Sequence, residues 1–499
     1  MGLFDKIKRI FNRGKYFMTT QNLAKITDHP KIAVSLDEYN RIANNLKYYS
    51  GKFKQVTFVN SNNEKIKREF NHLPIARTAC KKIASLVYNE QAEILVDDNS
   101  ANTFIQDVLK NDRFNKNFER YLESCLALGG LAMRPYYDGK TIRISFVQAP
   151  VFMPLQTNTQ DVSSAAIITR STKSFGQQTK YYTLIEIHEW SDNEYVITNE
   201  LYKSDYEHIV GSRVDLSEVY ENLDDEVRIA NLSRPLFTYL KTPGMNNKNI
   251  NSPLGLSIFD NAKTTIDFIN RTYDEFMWEV KMGQRRVAVP EQTLKTIINY
   301  KNEKELVRRE FDPNQNVFIS FDSGGDNPIA ITDLTTPIRA DDYIKAINEG
   351  LSLFEMQIGV SQGLFTFDGK SMKTATEVVS ENSDTYQMRN SIVSLVEQSI
   401  KELVVSICEL GAYYQIYSGP IPSLDSVTVN LDDGVFTDRN ALLDFWTKAY
   451  TAKLSSQKNA IMKAYGVTEE EAQKMVDEIQ EETIGSVQRS PEDVGIYGE

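Results

Sequence analysis

Residues 369–371, Gly369-Lys370-Ser371, have the residue types that end a nucleotide-binding P-loop. A P-loop has the pattern G-x-x-x-x-G-K-[ST], whose spacing lets backbone N–H groups surround a phosphate while the lysine reaches its far side. Leu364 occupies the place of the first glycine, and Gly363 lies one residue too early. The preceding segment, 341–358, has the apolar spacing of a helix rather than of a buried strand. The sequence therefore argues against a P-loop here.

Other residue types that perform chemistry are sparse and scattered. The sequence lacks an H-E-x-x-H pattern and the strand–turn–helix context of a nucleophile elbow, and residues 431–436, "LDDGVF", lack the ligand spacing of an EF-hand. No C-x-x-C pair suggests a zinc site, and the widely separated cysteines suggest no disulfide framework. We therefore expect a non-enzymatic protein without cofactor, metal or catalytic residues, in which the histidines are structural. The histidines and cysteines are His29, His72, His188, His208, Cys80, Cys125 and Cys408.

The charge of the chain argues against a tight grip on nucleic acid. The 499 residues carry a net charge of −12, and residues 466–499 contain ten acidic side chains against two basic ones, a balance of −8. Tight binding requires clustered Lys and Arg that displace counterions from phosphates. Any contact with nucleic acid should therefore be weak and independent of base sequence. The acidic segment would either solubilise the protein or repel nucleic acid.

The first 17 residues form a basic amphipathic segment with Phe4 and Phe11 on its apolar side. Such a segment docks on a protein partner or lies on a membrane surface, and both readings stay open. Lys6 stands where a myristoylation signal has Ser or Thr. There is no secretory h-region and no run of 18 apolar residues, so we expect neither a signal peptide nor a membrane span.

The first half of the chain begins helical and then becomes β-rich. Helices are predicted over 36–50 and 70–90, the first with a capping box of Ser35 and Glu38, and a longer one over 102–128 ending at Gly129-Gly130. From 131 to about 240, alternation and β-branched residues predict a meander or small barrel. Asp192-Asn193-Glu194 is typical of a hairpin turn.

After the Pro/Gly/Asn-rich connector 241–255, the helical period returns. Apolar residues from Ile258 to Val280 predict a helix of about 30 residues that ends at Gly283. An α/β insert follows, with strands at 285–290 and 316–321 around a helix near 291–300. A second helix over 339–359 would run antiparallel to the first. Side chains that point away from the shared seam favour lateral neighbours, namely Phe268, Met277, Leu353 and Met356.

The longest predicted helix spans 374–417, with a capping box of Thr374 and Glu377 and a stop at Gly419-Pro420. A strand at 426–431 and three helices near 438–452, 455–465 and 469–482 follow, the last capped by Thr468 with Glu471. The final 17 residues should be disordered. The apolar seam of the long helix is Val378, Tyr386, Val393, Val396, Ile400, Leu403, Ile407 and Leu410.

This order of elements resembles the portal proteins of tailed bacteriophages, in particular those of siphophages that infect Gram-positive bacteria. The likeness covers nearly the whole chain, and the order of elements carries more weight than any single motif. The segments that carry it are "SPLGLSIFDNAKTTIDFINRTYDEF", "RRVAVPEQTL", "IGVSQGLFTFD" and "KTATEVVSENSDTY".

The resemblance implies an α+β portal fold with wing, helical stem, α/β clip and helical crown. Its subunits would form a ring of about twelve copies around a channel for double-stranded DNA. The wing would be 1–250 and 374–436, the stem 251–283 and 339–359, the clip 284–338, the tunnel loop 360–373 and the crown 437–499.

The resemblance also implies partners and sites. The ring would occupy the portal vertex of the virion after assembly in the host cytoplasm. It would dock the terminase large subunit during DNA packaging and the head-completion adaptor afterwards, and meet scaffolding and major capsid proteins. Clip docking would use Arg285, Arg286, Arg308 and Arg309. The DNA channel would be lined by the tunnel-loop residues Gly363, Phe365, Phe367, Lys370 and Lys373.

Glycines at the ends of the tunnel loop, Gly359, Gly363 and Gly369, would serve as hinges. Phe365 and Phe367 would pack neighbouring loops together, and the lysines would meet phosphates as point charges. Two alternatives stay open. A packaging ATPase would hydrolyse nucleotide and lose that activity on Lys370→Ala. A peripheral membrane scaffold would float with liposomes through its first 17 residues.

Overall fold

The computed structural model describes most of the chain. The described residues are 22–32, 34–59, 64–89, 92–157, 161–176, 178–283, 287–288, 295–301, 304–310, 332–333, 337–366, 383–431, 439–465, 467 and 469–487. Helices and strands are largely segregated along the chain, as the α+β prediction requires. The described helices are α1 (Leu36–Ser50), α2 (Ile75–Val87), α3 (Asn99–Asn111), α4 (Phe114–Leu128), α5 (Lys263–Met282), α6 (Ala340–Ile358), α7 (Ser383–Tyr413), α8 (Arg439–Thr451), α9 (Gln457–Tyr465) and α10 (Glu469–Val487).

The strands fall mainly between α4 and α5. They are β1 (Asn22–Leu23), β2 (Val56–Val59), β3 (Lys65–Arg68), β4 (Glu93–Val96), β5 (Gly130–Tyr137), β6 (Ile142–Gln148), β7 (Phe152–Thr157), β8 (Val162–Phe175), β9 (Gln178–Ser191), β10 (Glu194–Ser204), β11 (Gly211–Val214), β12 (Glu226–Ala230), β13 (Thr238–Lys241), β14 (Val287–Ala288), β15 (Lys295–Lys301), β16 (Lys304–Glu310), β17 (Thr332–Asp333) and β18 (Val427–Asn430).

The chain divides into two compact units, each built from separated segments. The first unit comprises Met1–Lys82, Tyr121–Arg134 and Ser145–Asp368, and the second comprises Ile83–Arg120, Pro135–Ile144 and Gly369–Glu499. The division into wing, stem, clip, tunnel loop and crown stays a prediction.

The first unit contains the predicted meander as a seven-stranded sheet in the order β1-β11-β10-β9-β8-β7, with β12 paired to β10. Strands β7 to β11 pair antiparallel with their chain neighbours. The hairpin turn between β9 and β10 is confirmed, because Asp192 and Asn193 have φ of 51° and 63° between the paired residues Ser191 and Glu194. Asx residues tolerate this left-handed conformation, which a two-residue hairpin turn requires.

A cluster of hydrogen-bonded charged and polar side chains lies around Glu186, on β9 of this sheet. Its carboxylate accepts from His188, at 2.5 Å, and from Arg134, and the other ring nitrogen of His188 lies 2.9 Å from the Tyr195 hydroxyl. Burial of Glu186 raises its pKa, but Arg134 and His188 outweigh that effect and lower the pKa from 4.5 to about 2. Since the folded state favours the ionised carboxylate, Glu186 stabilises the fold most at pH values at which it is ionised in both the folded and the unfolded protein.

We therefore expect the contribution of Glu186 to the free energy of unfolding to be complete above about pH 4.5 and to be lost as the pH falls towards 2. The measurement is the unfolding free energy of wild type and Glu186→Gln between pH 2 and 7. Their difference should shrink on acidification. Glu189→Gln, on the same strand but in a surface pair with Lys31, is the matched control. A Glu186→Gln difference that stays constant from pH 7 to 2 would contradict the assignment.

Helices α5 and α6 form the predicted antiparallel pair. Thr265 donates to Gln357 at 2.8 Å near one end, and the Phe276 and Tyr343 rings stack at 5.3 Å near the other. At Gly350 a Cβ atom would lie 2.6 Å from the Ile269 side chain, so glycine permits this close approach. The predicted apolar seam between the two helices is confirmed at Ile266 and Ile269 of α5, which are buried.

The outer faces of α5 and α6 carry exposed apolar side chains. Phe268, Met277, Leu353 and Met356 are 48%, 40%, 49% and 60% exposed, as predicted from the seam. Val280, the last of the apolar residues that predicted the first helix and its packed seam, is 41% exposed, so its place in that seam was wrong.

The length predicted for the first helix of this pair was wrong, because α5 begins only at Lys263 and has 20 residues. Asp260 explains the late start. Its carboxylate accepts from the Ser257 N–H at 2.9 Å and from Arg41 and Asn45 on α1, and these bonds hold 257–262 in turns. The predicted end at Gly283 is confirmed.

The single helix predicted over 102–128 was wrong. The chain forms α3 and α4, separated at Asp112 and Arg113, where Arg113 has a φ of 50°. The Asp112 carboxylate accepts from the Ile144 N–H at 2.5 Å and from Arg143 at 3.0 Å, which stabilises the break. The predicted end at Gly129, with a φ of 95°, is confirmed.

Helix α7 is the described part of the long helix. Its buried seam is confirmed at Val396, Ile400, Leu403, Ile407 and Leu410, whereas Tyr386 is 41% exposed and was wrongly placed there. Thr374 and Glu377 lie outside the described residues.

The predicted end of this helix at 417 was also wrong, because α7 ends at Tyr413. Gln415 adopts a φ of 57°, and Tyr417 stacks on Phe104 at 4.9 Å and donates to the Pro420 carbonyl at 2.7 Å. These contacts turn the chain before Gly419. The following strand, β18, pairs with β4.

The insert between α5 and α6 contains two strand pairs, β14 with β17 and β15 with β16. The helix predicted near 291–300 was wrong, because 295–300 belong to β15. Its β-branched residues, Thr296 to Ile298, lie opposite Val307 to Arg309 of β16, a pairing that favours strand over helix. The predicted strand 316–321 lies outside the described residues.

Two further boundaries differ from the predictions. Ser35 caps α1 by accepting from the Asp37 N–H, but the capping box was wrong, because the Glu38 carboxylate accepts from Arg41, Asn246 and Ser252 instead. Helices α8, α9 and α10 are found as predicted, except that α10 continues to 487, into the tail expected to be disordered. Thr468 lies outside the described residues.

Candidate functional site

The described part of the segment predicted to be the tunnel loop, 360–366, begins where α6 ends. Gly359 adopts a φ of 76°, and its N–H and that of Val360 return to carbonyls of the last turn of the helix. Such a left-handed C-cap is accessible to glycine without steric cost. Val360 and Ser361 are buried, so the loop leaves the helix along a packed surface.

Glu355, one turn before the end of α6, holds the next part of the loop. Its side chain is fully buried, at 0% exposure, and its two carboxylate oxygens accept from the N–H groups of Gly363, at 2.8 Å, and Phe365. Gly363 has a φ of 86°, a conformation that other residues rarely adopt. One carboxylate therefore fixes two backbone groups of the loop.

Phe365 is half-buried against its own chain. Its ring centroid lies 6.1 Å from that of Phe354, on the core face of α6, and 5.6 Å from the ammonium of Lys82. Lys82, an exposed residue of α2, also donates to the Leu364 carbonyl at 3.1 Å. The contact that was predicted for Phe365, with the loops of neighbouring copies, stays a prediction.

The structure brings together two of the tunnel-loop residues predicted from the sequence, Gly363 and Phe365. Phe367, Lys370 and Lys373 lie outside the described residues, as do Arg285 and Arg286. Arg308 and Arg309 are described as backbone of β16, opposite Ile297 and Thr296.

Sequence reasoning missed Glu355 and Lys82. A signal for Glu355 was present, because it stands four residues after the buried Leu351, next to Phe354 and three residues before Ile358, on the core face of a predicted helix. A carboxylate at such a position is costly unless it is bonded, so it indicates a nearby partner. Lys82 gave no comparable signal, since exposed lysines are ordinary on a helix.

The arrangement is suited to holding backbone rather than to performing a reaction. Within the part of the chain that the structure describes, no group of three or more His, Cys, Asp or Glu side chains is placed to hold a metal ion. His29 and His188 are buried beside Glu200 and Glu186.

The three cysteines, Cys80, Cys125 and Cys408, are buried and free, and burial raises the pKa of each thiol, to about 12 for Cys408. Among the helices described, none combines the length and apolar character needed to cross a membrane.

Comparison with known proteins supplies a family. The profile of "Phage portal protein, SPP1 Gp6-like" matches residues 28–485. A search of curated proteins finds no significant match.

Three solved structures contain similar chains. One, from the virion of a native gene transfer agent particle, is 9% identical with a TM-score of 0.42, over 79% of this chain and 89% of that chain. Another, from the neck of the native particle computed with C12 symmetry, is 10% identical with a TM-score of 0.37, over 77% and 88%. A third, from the neck of the empty particle computed with C6 symmetry, is 12% identical with a TM-score of 0.37, over 79% and 89%.

Proposed function

Because the chain belongs to the SPP1 Gp6-like family of phage portal proteins, whose profile matches residues 28–485, we propose that it forms a ring-shaped channel for double-stranded DNA. As a portal protein it is a component of the portal vertex of the phage particle. The match over most of the chain is the observation that carries this proposal. The family assignment gives no support to the packaging-motor ATPase.

The ring, with about twelve copies, would be stabilised by lateral contacts between subunits. The exposed apolar side chains of α5 and α6, among them Phe268 and Met356, support such contacts, because a face of this kind on a surface helix is more stable when covered. The net charge of −12 supports a DNA contact that is weak and independent of base sequence, since duplex DNA would slide past a largely acidic protein without adhering.

Within this channel, residues 360–373 would be the tunnel loop. Phe367 would pack against neighbouring copies of the loop, and Lys370 and Lys373 would contact phosphates transiently. The insert 284–338 would be the clip. Its arginines Arg285, Arg286, Arg308 and Arg309 would form a docking face for acidic surfaces of the terminase large subunit during packaging and of the head-completion adaptor afterwards.

The remaining roles follow from the same proposal. The protein would act as a structural conduit and not as an enzyme, with the work of DNA movement supplied by a separate ATPase. It would meet scaffolding and major capsid proteins during assembly in the host cytoplasm. The basic segment 1–17 lies outside the described residues, and liposome flotation that depends on Phe4 and Phe11 would favour the membrane-scaffold alternative for it.

Electron microscopy of the purified protein tests the proposal directly. We expect rings with a central hole wide enough for a DNA duplex, together with a mass by light scattering that corresponds to a closed cyclic oligomer. A protein that remains monomeric at every concentration, even in the presence of capsid and scaffolding proteins, would contradict the proposal.

A further inference from the structure

The base of the tunnel loop is bonded through three consecutive residues. The N–H of Gly363 is bonded to Glu355, the carbonyl of Leu364 to Lys82, and the N–H of Phe365 again to Glu355. These bonds alternate in direction along the backbone, so they fix its position and its orientation together. A loop free to swing at Gly363 would have no such set of bonds.

Burial of Glu355 adds to this argument. A carboxylate that is removed from water must have its oxygens bonded, since an unsatisfied buried charge is strongly unfavourable. Among the described residues, the hydrogen-bond partners of Glu355 are the two loop N–H groups. Moving the loop base away from α6 would leave this carboxylate without them, so the structure opposes motion there more strongly than at an ordinary loop.

Phe365 and Gly363 make the same point through packing and backbone geometry. The Phe365 ring lies between Phe354 and the Lys82 ammonium, an arrangement that combines aromatic and cation–π contacts. The φ of 86° at Gly363 directs the chain so that the two N–H groups reach one carboxylate. Gly363 therefore forms a fixed turn of the backbone rather than a hinge.

We propose that Glu355 is a positioning residue that clamps the base of the tunnel loop to α6, with Lys82 as its second anchor, and that this clamp is required to retain packaged DNA. The inference rests on the proposed channel function. It revises the hinge predicted at Gly363, because the bonds to Glu355 oppose motion at that residue. A loop held at its base transmits a push from the duplex to α6 instead of yielding to it.

Hydrogen exchange of the full-length ring tests the clamp. In Glu355→Gln the side chain keeps its size, but one acceptor oxygen becomes an NH2 group that cannot accept from an N–H. We expect exchange in peptides covering 359–366 to accelerate at least about tenfold, with other peptides unchanged. Glu478→Gln, at an exposed glutamate of α10, is the matched control and should leave exchange over 359–366 unchanged.

A second pair of variants keeps the clamp testable if Glu355→Gln does not fold. Lys82→Ala removes the bond to Leu364 and the contact with Phe365 from an exposed position, and Lys81→Ala alters its exposed neighbour. We expect faster exchange over 359–366 in Lys82→Ala only. Ring formation, followed by gel filtration and microscopy, should be unaffected in both. Unchanged exchange in Lys82→Ala and Glu355→Gln would overturn the clamp.

The second readout is the amount of DNase-protected DNA in filled heads. We expect rings of Glu355→Gln and Lys82→Ala to retain less DNA than their matched controls. If exchange rises but retention stays at wild-type level, while deletion of 367–373 abolishes it, the positioning role is overturned and the channel proposal survives. If that deletion has no effect either, the proposed role of the loop fails and the inference fails with it.

Discussion

Removal of residues 367–373 is expected to leave rings intact and to reduce the DNA held in filled heads by at least about tenfold, the change that about 1.4 kcal/mol produces in an equilibrium. The deletion takes away Phe367, Lys370 and Lys373, the side chains proposed to meet the duplex. It leaves Gly363 and Phe365 bonded to Glu355, so the buried carboxylate keeps its partners. A deletion reaching back to 361 would remove these bonds and mix two effects.

The measurement is the amount of DNase-protected DNA in heads assembled with each ring, and the rings themselves are counted by microscopy. A variant in which 367–373 are replaced by seven Gly and Ser residues is the matched control, because it keeps the chain length and removes the aromatic and charged side chains. If heads with that variant hold as little DNA as heads with the deletion, the aromatic and charged side chains are responsible for DNA retention. Normal filling and retention by the deletion ring would contradict the channel role of the loop.

Proline at position 400 is expected to abolish ring assembly. Ile400 is 1% exposed in the middle of α7, on the seam with Val396 and Leu403. A proline there removes a backbone hydrogen bond and clashes with the preceding turn, at a cost of about 3 kcal/mol or more, a large share of the stability of a domain. The loss of the buried side chain adds to this cost.

Thermal unfolding and gel filtration of Ile400→Pro measure the effect. Ile400→Val keeps the helix and should cost about 0.5–1.5 kcal/mol, which isolates the packing contribution. Leu36→Pro places a proline at the first position of α1, directly after its cap Ser35, where the ring is tolerated, and should leave assembly unchanged. Ile400→Pro rings at the wild-type yield would mean that a continuous α7 is unnecessary for assembly.

Local patterns were sufficient for the elements that depend on neighbours in sequence. The alternation over β8 to β10, the Asp192-Asn193 turn and the seam shared by α5 and α6 were all predicted, because the period of apolar residues and the backbone preference of Asx residues are local properties. The order of these elements was also enough to suggest the family.

Two of the misses have a different cause, which is a bond to a distant residue. The break between α3 and α4 depends on Asp112 accepting from Arg143 and Ile144, more than 30 positions later, and no glycine or proline marks it. Glu38 fits a local capping pattern, but Asn246 and Ser252 bind its carboxylate instead.

In the candidate site, the glycines and aromatics of the loop were predictable as unusual residues between two helices. The clamp was not. Glu355 was visible as a charged residue on a core face, yet its partners are backbone N–H groups, which every residue except proline carries and which therefore leave no trace in a sequence. The contact of Lys82 with Leu364 spans 282 positions and could not be inferred from the residue types.

The burial of all three cysteines gives the protein a practical property. A thiol reacts as its thiolate, and the raised pKa values of Cys80, Cys125 and Cys408 leave almost none at neutral pH, while the surrounding side chains exclude reagents. Maleimide dyes should therefore spare the native chain. A single cysteine introduced at the exposed position of Glu207, between β10 and β11, would take one fluorophore per subunit, so that photobleaching steps would count the copies in a ring without removal of any native thiol.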